Sequence, residues 1–145
     1  IDVINGIRDS GIHVAANYIF GLPQDTESSL KFTYSFAEET NSEMVNFYSA
    51  MAYPGSPLHK TAREKRWELP KTYSGYSQHS YDMLNLSNDN LTAKEIMAFR
   101  DQAFVTYNSN SSYLQMLEDK FGTHARLNME ETLKIKLKRK LLRIM

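Results

Sequence analysis

The sequence contains no cysteine. That absence excludes disulfides, thiolate metal sites and a cysteine nucleophile from these residues. An excess of charge of either sign is also missing: Lys plus Arg and Asp plus Glu number 17 each, for a formal net charge of zero. Bulk electrostatics therefore argue for neither a nucleic-acid partner nor a membrane surface. No apolar run approaches the roughly 20 residues that a membrane helix needs, and the opening Ile-Asp-Val-Ile-Asn lacks a basic region followed by an apolar one. The expectation is a cytoplasmic protein with no transmembrane segment and no nucleic acid as partner. Glycine and proline are scarce, six and four residues, so the places where they fall together, Gly21-Leu22-Pro23 and Pro54-Gly55, act as punctuation.

A chain of 145 residues is long enough for one ordinary domain with its own core. "IDVINGIRDSG" reads as a helix entered midway and stopped at Gly11, which suggests a piece of a longer protein. "IHVAANYIF" is short, nearly continuously apolar and rich in branched and aromatic residues, the pattern of a parallel strand buried on both faces. Gly21-Leu22-Pro23 ends it, since proline removes a ladder donor and restricts its predecessor. Asp25 or Thr26 can then cap a helix with Leu30, Thr33, Phe36 and Ala37 on one face, running to about Glu39. "MVNFYSAM", residues 44 to 51, is a second strand, and strand, helix, strand is a βαβ unit. "AYPGSP" closes it, and "LHKTAREKR" is a short helix.

From Trp67 to Asn90 the chain reads as an aromatic and polar loop. A loop that long in a compact domain is functional or mobile. "LTAKEIMAFRDQAFVTYN" is a helix opened by a Thr92–Glu95 capping box, with Ile96, Phe99, Ala103, Phe104 and Tyr107 as its apolar stripe. "SSYLQMLEDKFG" is another, ending at Gly122. The tail from Thr123 to Met145 reads as a last, basic helix, in which Leu133, Leu137 and Leu141 form one packed stripe. The fold class is thus α/β, with two parallel strands followed by a C-terminal helical region. Two such strands cannot cover both faces of a sheet, so further strands must come from elsewhere in a parent protein or from a second copy. Exposed strand edges also favour a homodimer.

In α/β folds ligands bind beyond the carboxyl ends of parallel strands, where both turn clusters lie. Gly-Leu-Pro serves either a ligand or a simple strand-to-helix connection, and Asp25 is a helix cap or a functional carboxylate. Which strand face looks inward, and so whether Asn46 and Tyr48 line an interior, is not fixed by parity. The four histidines, His13, His59, His79 and His124, have no ligand spacing. In the long loop, Tyr76, Gln78, His79 and Tyr81 can either reach over a site and touch a small-molecule substrate or pack on the surface.

"NYIFGLPQDT" followed by "NFYSAMAYPGSPL" resembles the fifth and sixth strands of radical S-adenosylmethionine enzymes. Ile19 and Gly21 match the Ile and second Gly of the family's GxIxGxxE pattern, while Asn17 replaces its first Gly and Gln24 its Glu. The GLPGET variant fits better, with Gln24 for Gly and Asp25 for Glu. "YSQHSYDM", "EIMAFRDQAF" and "LKRKLL" resemble the C-terminal part of the cobalamin-binding subgroup that includes the anaerobic magnesium-protoporphyrin monomethyl ester cyclases. The resemblance implies a partial (β/α) barrel fragment: residues 1–66 as its distal βαβ part, 67–90 as the loop, 91–145 as the helical region. It implies S-adenosylmethionine, a 4Fe-4S cluster and cobalamin as cofactors of the parent, and radical oxidation or methyl transfer as its reaction. Ile19, Phe20, Gly21 and Leu22, with Ala52, Tyr53 and Pro54, would wall the adenosine side of the pocket. The family's CxxxCxxC cluster ligands are absent, so this part alone should be inactive and needs the missing N-terminal half. The alternative expectation is a non-catalytic α/β interaction domain that docks a protein partner or an acidic surface through its basic tail.

Overall fold

The computed structural model describes residues 1–143. Helix α1 (Asp2–Asp9) leads into strand β1 (Ala15–Phe20), helix α2 (Glu27–Thr40) and strand β2 (Met44–Ser49). Helix α3 (Pro57–Glu64) follows, then a long connection whose regular part is one 3₁₀ turn at Tyr73–Tyr76, then α4 (Ala93–Asn108), α5 (Ser111–Phe121) and α6 (Thr123–Leu133). β1 and β2 pair in parallel, with Ala15 opposite Met44 and Phe20 opposite Ser49. The α/β class with two parallel strands and a helical C-terminal region is as expected.

Local chemistry sets the boundaries. Thr26, extended at φ −123°, accepts from the Ser29 amide, and the Ser29 hydroxyl accepts from the Thr26 amide, a reciprocal cap that starts α2. Asn41 ends α2 in the left-handed conformation at φ 42°, which asparagine tolerates better than most residues. Arg8 of α1 donates to the Thr40 and Asn41 carbonyls at 2.7 and 2.9 Å, satisfying groups that the end of α2 leaves bare. Thr92 and Glu95 form the expected capping box on α4.

The sheet is covered on one face only. Tyr18 and Phe20 of β1 and Val45 and Phe47 of β2 turn toward α2, α4 and α5, where they meet Leu30, Ala37, Ile96, Ala103, Tyr107, Tyr113 and Leu117. Phe47 stacks on Phe20 at 5.6 Å and on Tyr18 at 5.7 Å, and meets Tyr107 edge-on at 5.6 Å. Each fully buried aromatic or leucine here contributes roughly 1.5–3 kcal/mol. The other face carries Ala15, Asn17, Ile19, Met44, Asn46 and Tyr48, and all but the half-buried Tyr48 are exposed. The expectation of strands buried on both faces therefore fails, because nothing among the described residues covers that side. Phe36 also departs from its expected place on the packed stripe of α2: it sits at the margin, edge-on to Tyr18, and is 36% exposed.

The tail departs more. Helix stops at Leu133, and the segment beyond it to Arg143 is irregular, so Leu133, Leu137 and Leu141 are not one helical stripe. The last two residues of the expected tail helix lie outside the described residues. Arg139, expected on a solvated basic face, is 4% exposed. Its Nε and Nη2 donate to the two Asp101 carboxylate oxygens at 3.1 Å each, and its Nη1 donates to the Gln78 and Ser80 carbonyls. A guanidinium so fully engaged fixes the backbone around it in a course that a helix cannot follow.

Candidate functional site at the strand ends

The carboxyl ends of β1 and β2 open together onto a cleft of about 380 Å³ lined by Ile19, Leu22, Tyr48, Ser49, Ala50, Met51, Tyr53, Leu58 and Gln78. It continues onto the uncovered sheet face through Ile19 and Tyr48. The first rim turns at Gly21, whose φ of +86° suits glycine. A Cβ there would lie 2.7 Å from Cγ2 of Ile96, so Gly21 is bare toward the core, where α4 approaches, and not toward a ligand.

Asp25 is not the helix cap. Its Oδ2 accepts from the backbone amides of Gly21 and Leu22 at 2.9 and 2.8 Å, and its Oδ1 accepts from the Ser29 hydroxyl at 2.7 Å. Thr26 does the capping, and Asp25 holds the turn closed. From the far side, the Asn88 Nδ2 donates to the Leu22 and Asp25 carbonyls at 2.8 and 3.1 Å. The second rim is gripped in the same way. Gln78 accepts from the Ser49 amide at 3.2 Å and donates to the Ser49 carbonyl at 2.9 Å, so its amide acts as a short substitute strand at the end of β2. The Leu86 amide then donates to the Ala50 carbonyl at 3.0 Å. The long loop is thus neither loose nor free to reach: two of its side-chain amides clamp the two rims.

The expected site residues divide accordingly. Ile19, Leu22 and Tyr53 line the cleft. Phe20 is fully buried, on the opposite face of β1 from Ile19, and stacks on Phe47; it cannot touch anything in the cleft. Gly21 is buried against Ile96. Ala52 is 3% exposed and packs with Ala62 and Leu86 beneath the second rim. Pro54 is exposed beside the cleft but does not line it. Among the loop candidates, Gln78 is committed to the Ser49 backbone, and Tyr76 lies 5.9 Å from Tyr53, ring to ring, as a lateral wall. Tyr81 faces the tail, under the Arg143 guanidinium at 5.3 Å. His79 is exposed; its basicity is held below the ordinary histidine value by partial desolvation first, then by Arg100 and Arg139, against the opposing pull of Asp101.

Met51, Leu58 and Ser49 were not foreseen as lining residues, nor Asn88 and Arg139 as supports of the rims, while Tyr48 stood as one of two open alternatives. Strand parity would have identified Tyr48 from Ile19, had the covered face been known. At the other end of the strands Glu43 is 1% exposed and faces Arg8 and Lys120, while its Oε2 accepts from the Val14 amide at 3.1 Å. Burial alone would raise its pKa, but the Lys120 contact, the amide bonds and Arg8 outweigh it and bring it down to about 2. This cluster fastens α1, β2 and α5 together at the end away from the cleft.

Among the described residues no group of three or more His, Asp or Glu side chains is placed to hold a metal ion, and the chain has no cysteine. A 4Fe-4S cluster therefore has no ligands here. No helix among the described residues is long and apolar enough to cross a membrane.

No family model matches the chain, and no solved structure matches it. A stretch of 77 residues is 26% identical to an uncharacterized methyltransferase of Pyrococcus horikoshii, covering 53% of this chain and 17% of that protein. This chain is distantly similar to part of a methyltransferase. The matched stretch spans about a sixth of that relative's length, as 17% implies.

Proposed function

We propose that this chain is the distal wall of a radical S-adenosylmethionine enzyme, in which the cleft at the strand ends takes the adenosine side of the cofactor and a separate part of the parent polypeptide supplies the cluster. One observation carries the reading: the uncovered sheet face and the apolar cleft join at Ile19 and Tyr48, at the carboxyl ends of parallel strands. The lining suits a flat, uncharged ring, with Ile19, Leu22, Met51 and Leu58 as apolar walls and Tyr53 against Tyr76 at one side. S-adenosylmethionine is a methyl donor as well as a radical source, and similarity to a methyltransferase fits its use.

The strands also favour a partner on one side. Val14, just before β1, and Ala16, Tyr18 and Phe20 within it turn their backbone groups toward β2, which leaves those of Ala15, Asn17 and Ile19 directed outward. That edge and the bare sheet face suit neighbouring strands of the missing half of a barrel. Radical oxidation and methyl transfer both remain within this reading, and cobalamin rests on the likeness of the loop and tail alone. Binding, orientation and exclusion of water are what these residues contribute; the hard chemistry belongs to the cofactor.

The test is anaerobic reconstitution of the full-length parent with iron and sulfide, followed by assay of S-adenosylmethionine cleavage. Cleavage is expected in the parent, with Ile19→Arg or Leu22→Arg weakening cofactor binding by about tenfold or more. A parent that binds no cluster, or that cleaves the cofactor unaffected by both substitutions, would overturn the reading.

A further inference from the structure

The Arg139 guanidinium is the most deeply placed cation among the described residues, its side chain 1% exposed, and it stands outside the lining of the cleft. It belongs to the irregular tail, 38 residues from Asp101 and 61 from Gln78. The Gln78 carbonyl accepts from its Nη1 at 2.9 Å, while the side chain of the same Gln78 pairs with both backbone groups of Ser49. Asp101 in turn accepts from Nη1 of Arg100 at 2.7 Å, and Nε of Arg100 donates to the Phe47 carbonyl at 2.6 Å. The Lys140 amide donates to the Tyr81 carbonyl at 2.8 Å, and Leu141 and Leu142 pack on the Met51, Met83 and Met97 cluster beneath the cleft.

We infer that Arg139 is a positioning residue for the cleft: through Asp101 and the Gln78 carbonyl, the tail sets the Gln78 amide on the end of β2 and so shapes a wall that the tail itself does not form. The chain of causes is short. Asp101 fixes the guanidinium plane by a two-point contact, and that plane presents Nη1 to the carbonyls of Gln78 and Ser80 together. With residues 78 and 80 pinned, the Gln78 side chain starts within reach of the Ser49 backbone groups and pairs with both. Released, the same amide gains rotamers and water, and the Ser49 N–H loses its acceptor. The inference rests on the proposed reading only in giving the cleft a cofactor to hold; the clamp itself is independent of any ligand.

Amide hydrogen exchange on the full chain, without cofactor, tests it. Arg139→Gln is expected to speed exchange at Ser49 and across residues 76–83 by about tenfold or more, with β1 and α2 unchanged. Asp101→Asn should do the same, and the double variant no more than either alone, since both act through one relay. Arg139→Lys should recover less than half of the protection, because an ammonium cannot make the two-point contact. Gln78→Ala guards against a variant that merely fails to fold: it leaves every Arg139 partner in place and should free the Ser49 amide while residues 80–83 stay protected. Unchanged exchange at Ser49 in folded Arg139→Gln, or a Ser49 amide still protected in Gln78→Ala, would overturn the inference. Both readouts are indifferent to whether the parent cleaves S-adenosylmethionine.

Discussion

Nε of Arg100 lies 2.6 Å from the carbonyl oxygen of Phe47, 53 residues earlier in the chain. This bond, with the Gln78 amide on Ser49, occupies the outer edge of β2. The edges of the two strands are therefore unequal, because side chains occupy the Phe47 and Ser49 end of one and none among the described residues takes the outward groups of the other.

The inequality predicts how the chain self-associates. With the outer edge of β2 occupied at Phe47 and Ser49 and the outward groups of β1 given no partner among the described residues, β1 is the edge more open to pairing, and two copies can join there about a two-fold axis. Sedimentation velocity should show a monomer–dimer equilibrium and no larger species. Asn17→Pro, which removes an outward donor from the middle of β1, should give monomer. Open-ended oligomers would mean that the β2 edge is not closed in solution.

Gly21→Ala is expected to destabilise the fold by about 2–4 kcal/mol, combining a left-handed φ for a residue with a side chain and overpacking against Ile96. Urea unfolding measures it. Adding Ile96→Ala should cost less in the Gly21→Ala background than in the wild type, since the two changes share one contact.

Glu43 predicts the acid limb of stability. Its pKa in the fold, about 2, lies below the usual glutamate range, so the carboxylate stabilises the fold above that range, and its contribution disappears as pH falls from about 4.5 toward 2. The loss is of the order of 3 kcal/mol. Glu43→Gln should cost about 2–3 kcal/mol at neutral pH, by leaving Arg8 and Lys120 without their carboxylate, and should flatten that limb. Thermal unfolding across pH measures both.

His79 should titrate below the ordinary histidine midpoint, and Arg139→Gln should move the midpoint upward by removing one of the cations that oppose protonation. Because folding favours the neutral imidazole, this residue lowers stability as pH falls through and below about 6.5. Proton NMR of the ring hydrogens follows the midpoint directly; a midpoint at or above the ordinary value would contradict the placement of His79 near both arginines.

Features governed by neighbours in sequence were legible. The Thr92–Glu95 box announced α4, and Gly21-Leu22-Pro23 and Pro54-Gly55 marked both strand ends, because capping and turn chemistry act over three or four residues. Which strand face is covered was not legible: Tyr18 and Phe20 alternate with Asn17 and Ile19, and both sets are plausible inside. The tail misled for a different reason. Leu133, Leu137 and Leu141 satisfy helical spacing, but the pull on Arg139 comes from Asp101 and from carbonyls some 60 positions away, and tertiary bonds of that kind override local preference. Nor does a glutamine that will finish a strand differ, as a letter, from one on the surface. The lining of the candidate cleft was therefore legible at Ile19, Leu22 and Tyr53, which sit on the punctuated ends, and illegible at its supports.

The first rim hangs on a carboxamide. Asn88 holds Leu22 and Asp25 by donating N–H groups to their carbonyls, and hydrolytic loss of ammonia from that side chain would put an acceptor where both partners are acceptors. The turn at the mouth of the cleft therefore has no use for a carboxylate at position 88: Asn88→Asp, nearly the same in shape, would unfasten it while leaving the volume filled.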